Sequence, residues 1–183
     1  MNKNIISHKG LEFVPYISKQ QLEKAVQKVA DEISRDYHDK NPLFIGILNG
    51  AFIFCADLVR KLDFLGIEVE FCKVSSYQGT ESTEQLKQLI GLKSDIKGKN
   101  IILVEDIIDS GYTISQLLKH LKSKEPESIK VCTLFLKEAC LKHEIQIDYV
   151  GIKIDPEFIL GYGLDYDEWG RNLDEVWILK KQK

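Results

Sequence analysis

The stretch Asn100-Ile-Ile-Leu-Val-Glu-Asp-Ile-Ile-Asp-Ser-Gly-Tyr-Thr113 decides the fold. Asn100 to Val104 read as a buried strand, the clearest in the chain. Ile114, Leu117, Leu118 and Leu121 then recur at helical spacing, so a helix follows at once, with Thr113 and Gln116 as its expected capping box. Between strand and helix stand three carboxylates, Glu105, Asp106 and Asp109, and the turn Ser110-Gly111-Tyr112-Thr113. Successive strand side chains point to opposite faces, so Glu105 and Asp106 cannot duplicate each other. Free backbone N–H groups at a helix start, two hydroxyls (Ser110, Thr113) and a glycine that permits a tight turn make a phosphate cradle. Carboxylates beside such a cradle suit the hydroxyls of a phosphorylated sugar and can face a divalent metal. An isolated acid pair here would simply favour solvent and a helix N-terminus. The whole ensemble outlines a ribose-phosphate site.

Outward from this stretch, strand and helix patterns alternate. Ser18-Lys-Gln-Gln21 reads as a capping box before apolar Leu22, Ala25, Val26, Val29, Ala30 and Ile33 at helical spacing. Leu43 to Leu48 reads as a buried strand, Ala51 to Leu62 as an apolar helix, Ile67 to Val74 as an alternating strand and Ile129 to Leu136 as a β-rich run. This order predicts right-handed βαβ units, hence an α/β fold with a central, mainly parallel sheet flanked by helices. The last third breaks the rhythm: Tyr149 to Ile154, Phe158 to Tyr162 and Val176 to Leu179 read as short strands. With the segment before Ser18 they are expected to form a small hood, from about 1–17 and 150–183, over one end of the sheet. Ligands of such sheets lie beyond the carboxyl ends of the strands.

Composition excludes other classes. The chain has 183 residues, one domain's worth against a prior of about 150. Hydrophobic residues make up 44% and charged residues 29%, which excludes wholesale disorder. The net charge of −3 argues against a surface that coats nucleic acid. Cys55, Cys72, Cys132 and Cys140 show no C-x-x-C spacing, which argues against a disulfide framework or zinc ribbon and fits a reducing compartment. Met1 to Gly10 holds no apolar core for a signal peptide, and no apolar run is long enough for a bilayer, so the expectation is a cytoplasmic domain with no membrane partner. His8, His38, His120 and His143 form no metal-ligand spacing, and neither a P-loop nor a G-x-G-x-x-G occurs.

Val104 to Thr113 closely resembles the phosphoribosyl-diphosphate signature of type I phosphoribosyltransferases. The resemblance runs in order over nearly the whole chain. Leu48-Asn49-Gly50-Ala51 is similar to the family's pyrophosphate loop, and Ser76-Tyr77 to the start of its mobile catalytic loop. Lys137, Phe158-Ile159, Gly161-Tyr-Gly-Leu-Asp165-Tyr166 and Arg171-Asn-Leu resemble the purine hood of the hypoxanthine-guanine branch. The implied reaction moves a 5-phosphoribosyl group from phosphoribosyl diphosphate to a 6-oxopurine and releases pyrophosphate, with Mg²⁺ as cofactor. By that resemblance Glu105 and Asp106 hold the ribose hydroxyls and, with Asp165, the metal. Asp109 handles the proton at purine N7, and the segment Asp109, Ser110, Gly111, Tyr112, Thr113 cradles the phosphate. Asn49, Gly50, Ser76, Tyr77 and Arg171 meet the pyrophosphate. Lys137 donates to the purine 6-oxo group, Phe158 stacks on the base, and Ile159 and Asp165 complete the purine site. A homodimer or homotetramer is implied as well.

The sequence departs from the family pattern at three places. Asn49 stands where many members have Lys, which leaves that contact to backbone N–H groups. Tyr112 stands at a variable signature position and takes no side-chain role, and Asp155-Pro156 reverses the usual order. Two other readings stay open. One keeps the fold but takes xanthine or a pyrimidine as acceptor. The other is an RNA-binding regulator, with Lys119, Lys122, Lys124 and Lys130 as its footprint. The polar segment Gln78 to Gln88 is expected to be a lid.

Overall fold

The computed structural model describes residues 5–75 and 88–181. In chain order the elements are β1 (Ile6–His8), β2 (Leu11–Ile17), α1 (Lys19–Tyr37), β3 (Leu43–Leu48), α2 (Phe52–Val59), β4 (Glu68–Ser75) and β5 (Gln88–Ile90). The second half holds β6 (Asn100–Ile108), α3 (Tyr112–Lys122), β7 (Ser128–Leu136), β8 (Tyr149–Lys153), β9 (Ile159–Leu160) and β10 (Val176–Leu179). Six strands form the main sheet in the order β5-β4-β3-β6-β7-β8. The five from β4 to β8 are parallel, and β5 lies antiparallel on β4. A separate antiparallel sheet, β1-β2-β10-β9, forms the hood.

The period of two in the buried strands divides the core into halves. Phe44, Ile102, Val104, Cys132 and Leu134 pack with α1 and α2, whereas Leu43, Ile45, Ile101, Leu103 and Val131 pack with α3. Strands covered on both faces show no polar alternation, which is why they read as continuous apolar runs. α1 starts as its sequence predicts. The Gln21 N–H donates to Ser18 Oγ at 3.4 Å, and the Ser18 N–H donates to Gln21 Oε1 at 2.9 Å. Its buried face holds Leu22, Ala25, Val26, Val29, Ala30 and Ile33.

Four expectations need correcting. β6 does not stop at Val104; its ladder with β7 continues through Ile107↔Phe135 and Ile108↔Leu136, so both acids are strand residues. Thr113 does not cap α3. Gly111 is the N-cap, at φ 79°, and no side chain caps that helix. α2 ends at Val59, short of Leu62, where the Arg60 N–H turns back to Leu58 O. Tyr149 to Lys153 is not a hood strand. It extends the parallel ladder beyond β7, and Tyr149 Oη donates to Asp36 Oδ2 of α1 at 2.9 Å. Five residues of this length carry no pattern that separates a sheet edge from a hood strand. All four cysteines are free, and no helix among the described residues is long and apolar enough to cross a membrane.

Candidate active site

The carboxyl end of β6 gives its two acids different surroundings. Asp106 is 7% exposed, and its Oδ1 accepts the Ile107 N–H at 2.8 Å. It faces Gly50 so closely that a Cβ at position 50 would run into its carboxylate. Glycine at 50 is thus a packing requirement that lets the loop after β3 lie on the acid. Glu105 lines a cavity of about 180 Å³ with Asp109, the Ser110–Thr113 turn, Ile47 and Val74. Burial, and then the adjacent Asp106, push the Glu105 pKa well above the carboxylate range. Burial and Glu105 together push the nearby Cys72 thiol up to about 12.

The floor of the same cavity is the start of α3. Gly111 supplies the left-handed turn, the Tyr112 N–H donates to Ser110 Oγ at 3.3 Å, and the first helical i→i−4 bond runs from Ser115 to Gly111 at 2.9 Å. The N–H groups of Thr113 and Ile114 precede that bond and point out of the helix end, a ready anion cradle. The turn is braced from outside. Lys142 and His143 N–H donate to Ser110 O at 3.0 and 3.3 Å, and the His143 and Tyr112 rings meet at 5.4 Å. Sequence reasoning assigned this brace nothing, since no local pattern links residues 110 and 143.

β7 ends beside β6, and this adjacency joins two residues 28 positions apart. The Lys137 N–H donates to Ile108 O at 3.0 Å, while its Nζ donates to Asp109 Oδ2 at 2.8 Å. The Lys137 side chain is 13% exposed and that of Asp109 55%. An acceptor and a donor therefore stand side by side at the mouth of the cavity. The Cys140 thiol is a neighbour that sequence reasoning missed; burial and Asp109 push its pKa up.

The hood holds the remaining candidates. Phe158 is 42% exposed, with Phe13 and Tyr166 around its ring, and Ile159 is buried in the pairing of β9 with β10. Asp165 is already engaged on both oxygens, by Arg171 at 2.9 Å and by the Glu168 N–H at 2.8 Å. Arg171 also donates to Gly163 O at 2.9 Å and meets Glu168 at 3.1 Å. Gly163 is the joint between hood and sheet, since a Cβ there would run into Gly50 O. Next to it, Tyr162 Oη donates to Asp57 Oδ2 of α2 at 2.6 Å. Gly50, a pyrophosphate-loop candidate with Asn49 after a cis Leu48–Asn49 peptide, is thus two contacts from Arg171. Ser76, Tyr77 and the lid candidates up to 87 lie outside the described residues.

Residues 16–167 match the family model of the phosphoribosyl transferase domain. The chain belongs to the phosphoribosyltransferase family. It is 41% identical to a hypoxanthine-guanine-xanthine phosphoribosyltransferase of Tritrichomonas foetus, over 93% of each chain. It is 39% identical to a hypoxanthine-guanine phosphoribosyltransferase of Bacillus subtilis, over 90% of this chain and 91% of the relative. Bifunctional TilS/HprT proteins of Listeria match over 91% of this chain but only 26% of their own length. Among solved structures, a hypoxanthine-guanine phosphoribosyltransferase of Bacillus anthracis superposes with a TM-score of 0.82 at 38% identity, covering 91% of this chain and 98% of that one. The parallel sheet with its antiparallel hood is the fold of this phosphoribosyltransferase family.

Among the described residues no three His, Cys, Asp or Glu side chains form a ready metal cage. The acids that line the cleft are hard oxygen donors without histidine or thiolate neighbours in coordinating groups, a set that suits Mg²⁺ held chiefly by substrate oxygens and water.

Proposed function

We propose that this chain is a purine-salvage enzyme. It transfers the 5-phosphoribosyl group from phosphoribosyl diphosphate to hypoxanthine and guanine, giving IMP or GMP and pyrophosphate. The observation that carries this reading is the pair of Lys137 and Asp109 at 2.8 Å, with Asp109 lining the same cavity as the Ser110–Thr113 turn. N7 and the 6-oxo group share one edge of a 6-oxopurine, an edge that paired groups can read together. Lys137 has donors only, so it complements the oxo group, while Asp109 accepts the proton that N7 releases as N9 bonds to carbon 1 of the ribose and pyrophosphate leaves. Phe158 stacks on the base and Ile159 supplies backbone contacts beside it. Ser110 to Thr113 hold the 5-phosphate, Glu105 and Asp106 the ribose hydroxyls. Asn49 and Gly50 offer backbone N–H groups to the pyrophosphate, with Ser76, Tyr77 and Arg171 on its other sides.

Bound Mg²⁺ would neutralise the leaving pyrophosphate, and Glu105, Asp106 and Asp165 are the residues to hold it. The chain acts as one domain over 1–183, in the cytoplasm, as a homodimer or homotetramer. The regulator reading is weakened at one of its four lysines: Lys130 is held by Asp148 at 2.8 Å. Steady-state turnover of hypoxanthine, guanine, xanthine and adenine with phosphoribosyl diphosphate and Mg²⁺ tests the proposal. Turnover of the 6-oxopurines with adenine nearly inert is the expected result; adenine used as well as hypoxanthine overturns it. Xanthine belongs in the panel because the Tritrichomonas relative carries it in its name.

A further inference from the structure

Phe158 is held by a line of rings that begins at the opposite end of the chain. His8 stacks on Trp169 with centroids 4.6 Å apart and planes 7° apart. It also stands edge-on to Tyr166, at 5.8 Å and 87°. Tyr166 meets Phe158 edge to face at 5.7 Å and 85°, and the fully buried Phe13 lies behind both rings at 6.1 and 6.2 Å. The backbone fixes the two middle members, because Tyr166 and Trp169 exchange N–H···O bonds at 2.9 and 3.2 Å. An ion pair between Lys9 and Asp167 fastens the β1–β2 turn to this segment.

Two details assign the line a purpose. Phe158 is 42% exposed, and the rings that pack on its buried part are Phe13 and Tyr166. His8 Nε2 is buried without a hydrogen-bond partner among the described residues, so the imidazole contributes its flat ring and not that nitrogen. We infer that Tyr166 is a positioning residue for the purine platform and that His8, seated on Trp169, keeps Tyr166 in place. Both act through Phe158, and neither touches substrate. The inference rests on the proposed role of Phe158 as the base-stacking ring.

The test is steady-state kinetics on the full chain, with base and phosphoribosyl diphosphate varied separately and thermal melts run beside them. Phe158→Ala serves as the reference and raises the KM for hypoxanthine. Tyr166→Leu and His8→Ala raise that KM about 3- to 10-fold, the loss expected for one aromatic pair, and leave kcat and the KM for phosphoribosyl diphosphate within about 2-fold. Tyr166→Phe and His8→Phe keep the wild-type KM, and His8→Phe melts no lower than wild type, because it removes an unpaired polar atom. An unchanged base KM in folded Tyr166→Leu and His8→Ala, beside a raised one in Phe158→Ala, overturns the inference alone. So does a parallel loss in kcat and both KM values, or a His8→Phe variant as impaired as His8→Ala. An unchanged base KM in Phe158→Ala overturns the base-stacking reading beneath it.

Discussion

The two walls of the cleft are made in opposite ways. The phosphate wall, Glu105 to Ile114, is one continuous stretch whose working parts are main-chain N–H groups, a left-handed glycine and the acids that flank them. The base wall is assembled from side chains of the N-terminal hairpin, the end of β7 and the C-terminal turns, met across up to about 160 residues of sequence. A wall of backbone tolerates little change in conformation but is indifferent to most side chains. A wall of side chains can be respecified one residue at a time, provided the rings behind it hold still. On the proposed roles of these residues, the donor half of the reaction is fixed by local geometry and the acceptor half by tertiary packing.

The largest effect should come where the two walls touch. Asp109→Asn keeps the turn but removes the proton acceptor, so kcat should fall on the order of 10²- to 10⁴-fold in a protein that melts normally. An unaltered kcat would take the base role away from Asp109. Next, Lys137→Gln probes the base wall alone. The amide both accepts and donates, so the preference for hypoxanthine over adenine in kcat/KM should shrink by roughly 10- to 100-fold, with the KM for phosphoribosyl diphosphate unmoved. A shift in the phosphoribosyl-diphosphate KM instead would show that the walls are not separable.

Gly111→Ala probes the other wall. At φ 79° an L-residue is strained, and its Cβ would meet Ile145 Cδ1 at 3.0 Å. We expect a loss of about 1–2 kcal/mol, or ~2–8 °C in Tm, and a higher KM for phosphoribosyl diphosphate without loss of base selectivity. A variant as stable as wild type would mean the turn relaxes freely.

The smallest effect concerns Glu105, whose pKa burial and Asp106 raise in the folded protein. Above the ordinary carboxylate pKa, near 4.3, the unfolded chain has released this proton while the folded protein still binds it. Stability therefore falls as pH rises from that value through the raised folded pKa. Glu105→Gln should remove this loss, with a gain of about 0.5–2 kcal/mol at pH 7.5 that is small or absent at pH 4. Melts at the two pH values check it, and an equal gain at both would point to packing instead of charge.

The contrast between the walls also explains what could be read from the sequence. The phosphate turn was legible because every participant lies within ten residues, and each residue type has a local reason to be there. Even so, the cap of α3 was misplaced by two residues, since Ser-Gly-Tyr-Thr offers both a hydroxyl cap at Thr113 and a glycine cap at Gly111. The parallel sheet was legible from its apolar runs, but β8 was not, because five residues at a sheet edge carry no distinguishing period. On the base wall the participants Lys137, Phe158 and Asp165 were found only through resemblance. A lysine at a strand end or a phenylalanine in a short strand has a commoner structural use. His8 and Trp169 carried no signal at all, and Gly163 showed only as part of the hood motif, because their roles exist only once distant segments have met.

The contact between Gly163 and Gly50 has a practical meaning for anyone recombining these proteins. A hood grafted from a relative brings its own acceptor preference, and most of its joints with the sheet are side chains that can adjust. At this one seam, backbone lies directly on backbone, and neither half has a side chain to trim. Chimeras that keep glycine on both sides of the seam, with a tyrosine to reach Asp57, should close around their substrates. A chimera that brings any other residue to position 163 would hold its hood ajar, whatever base that hood was selected to recognise.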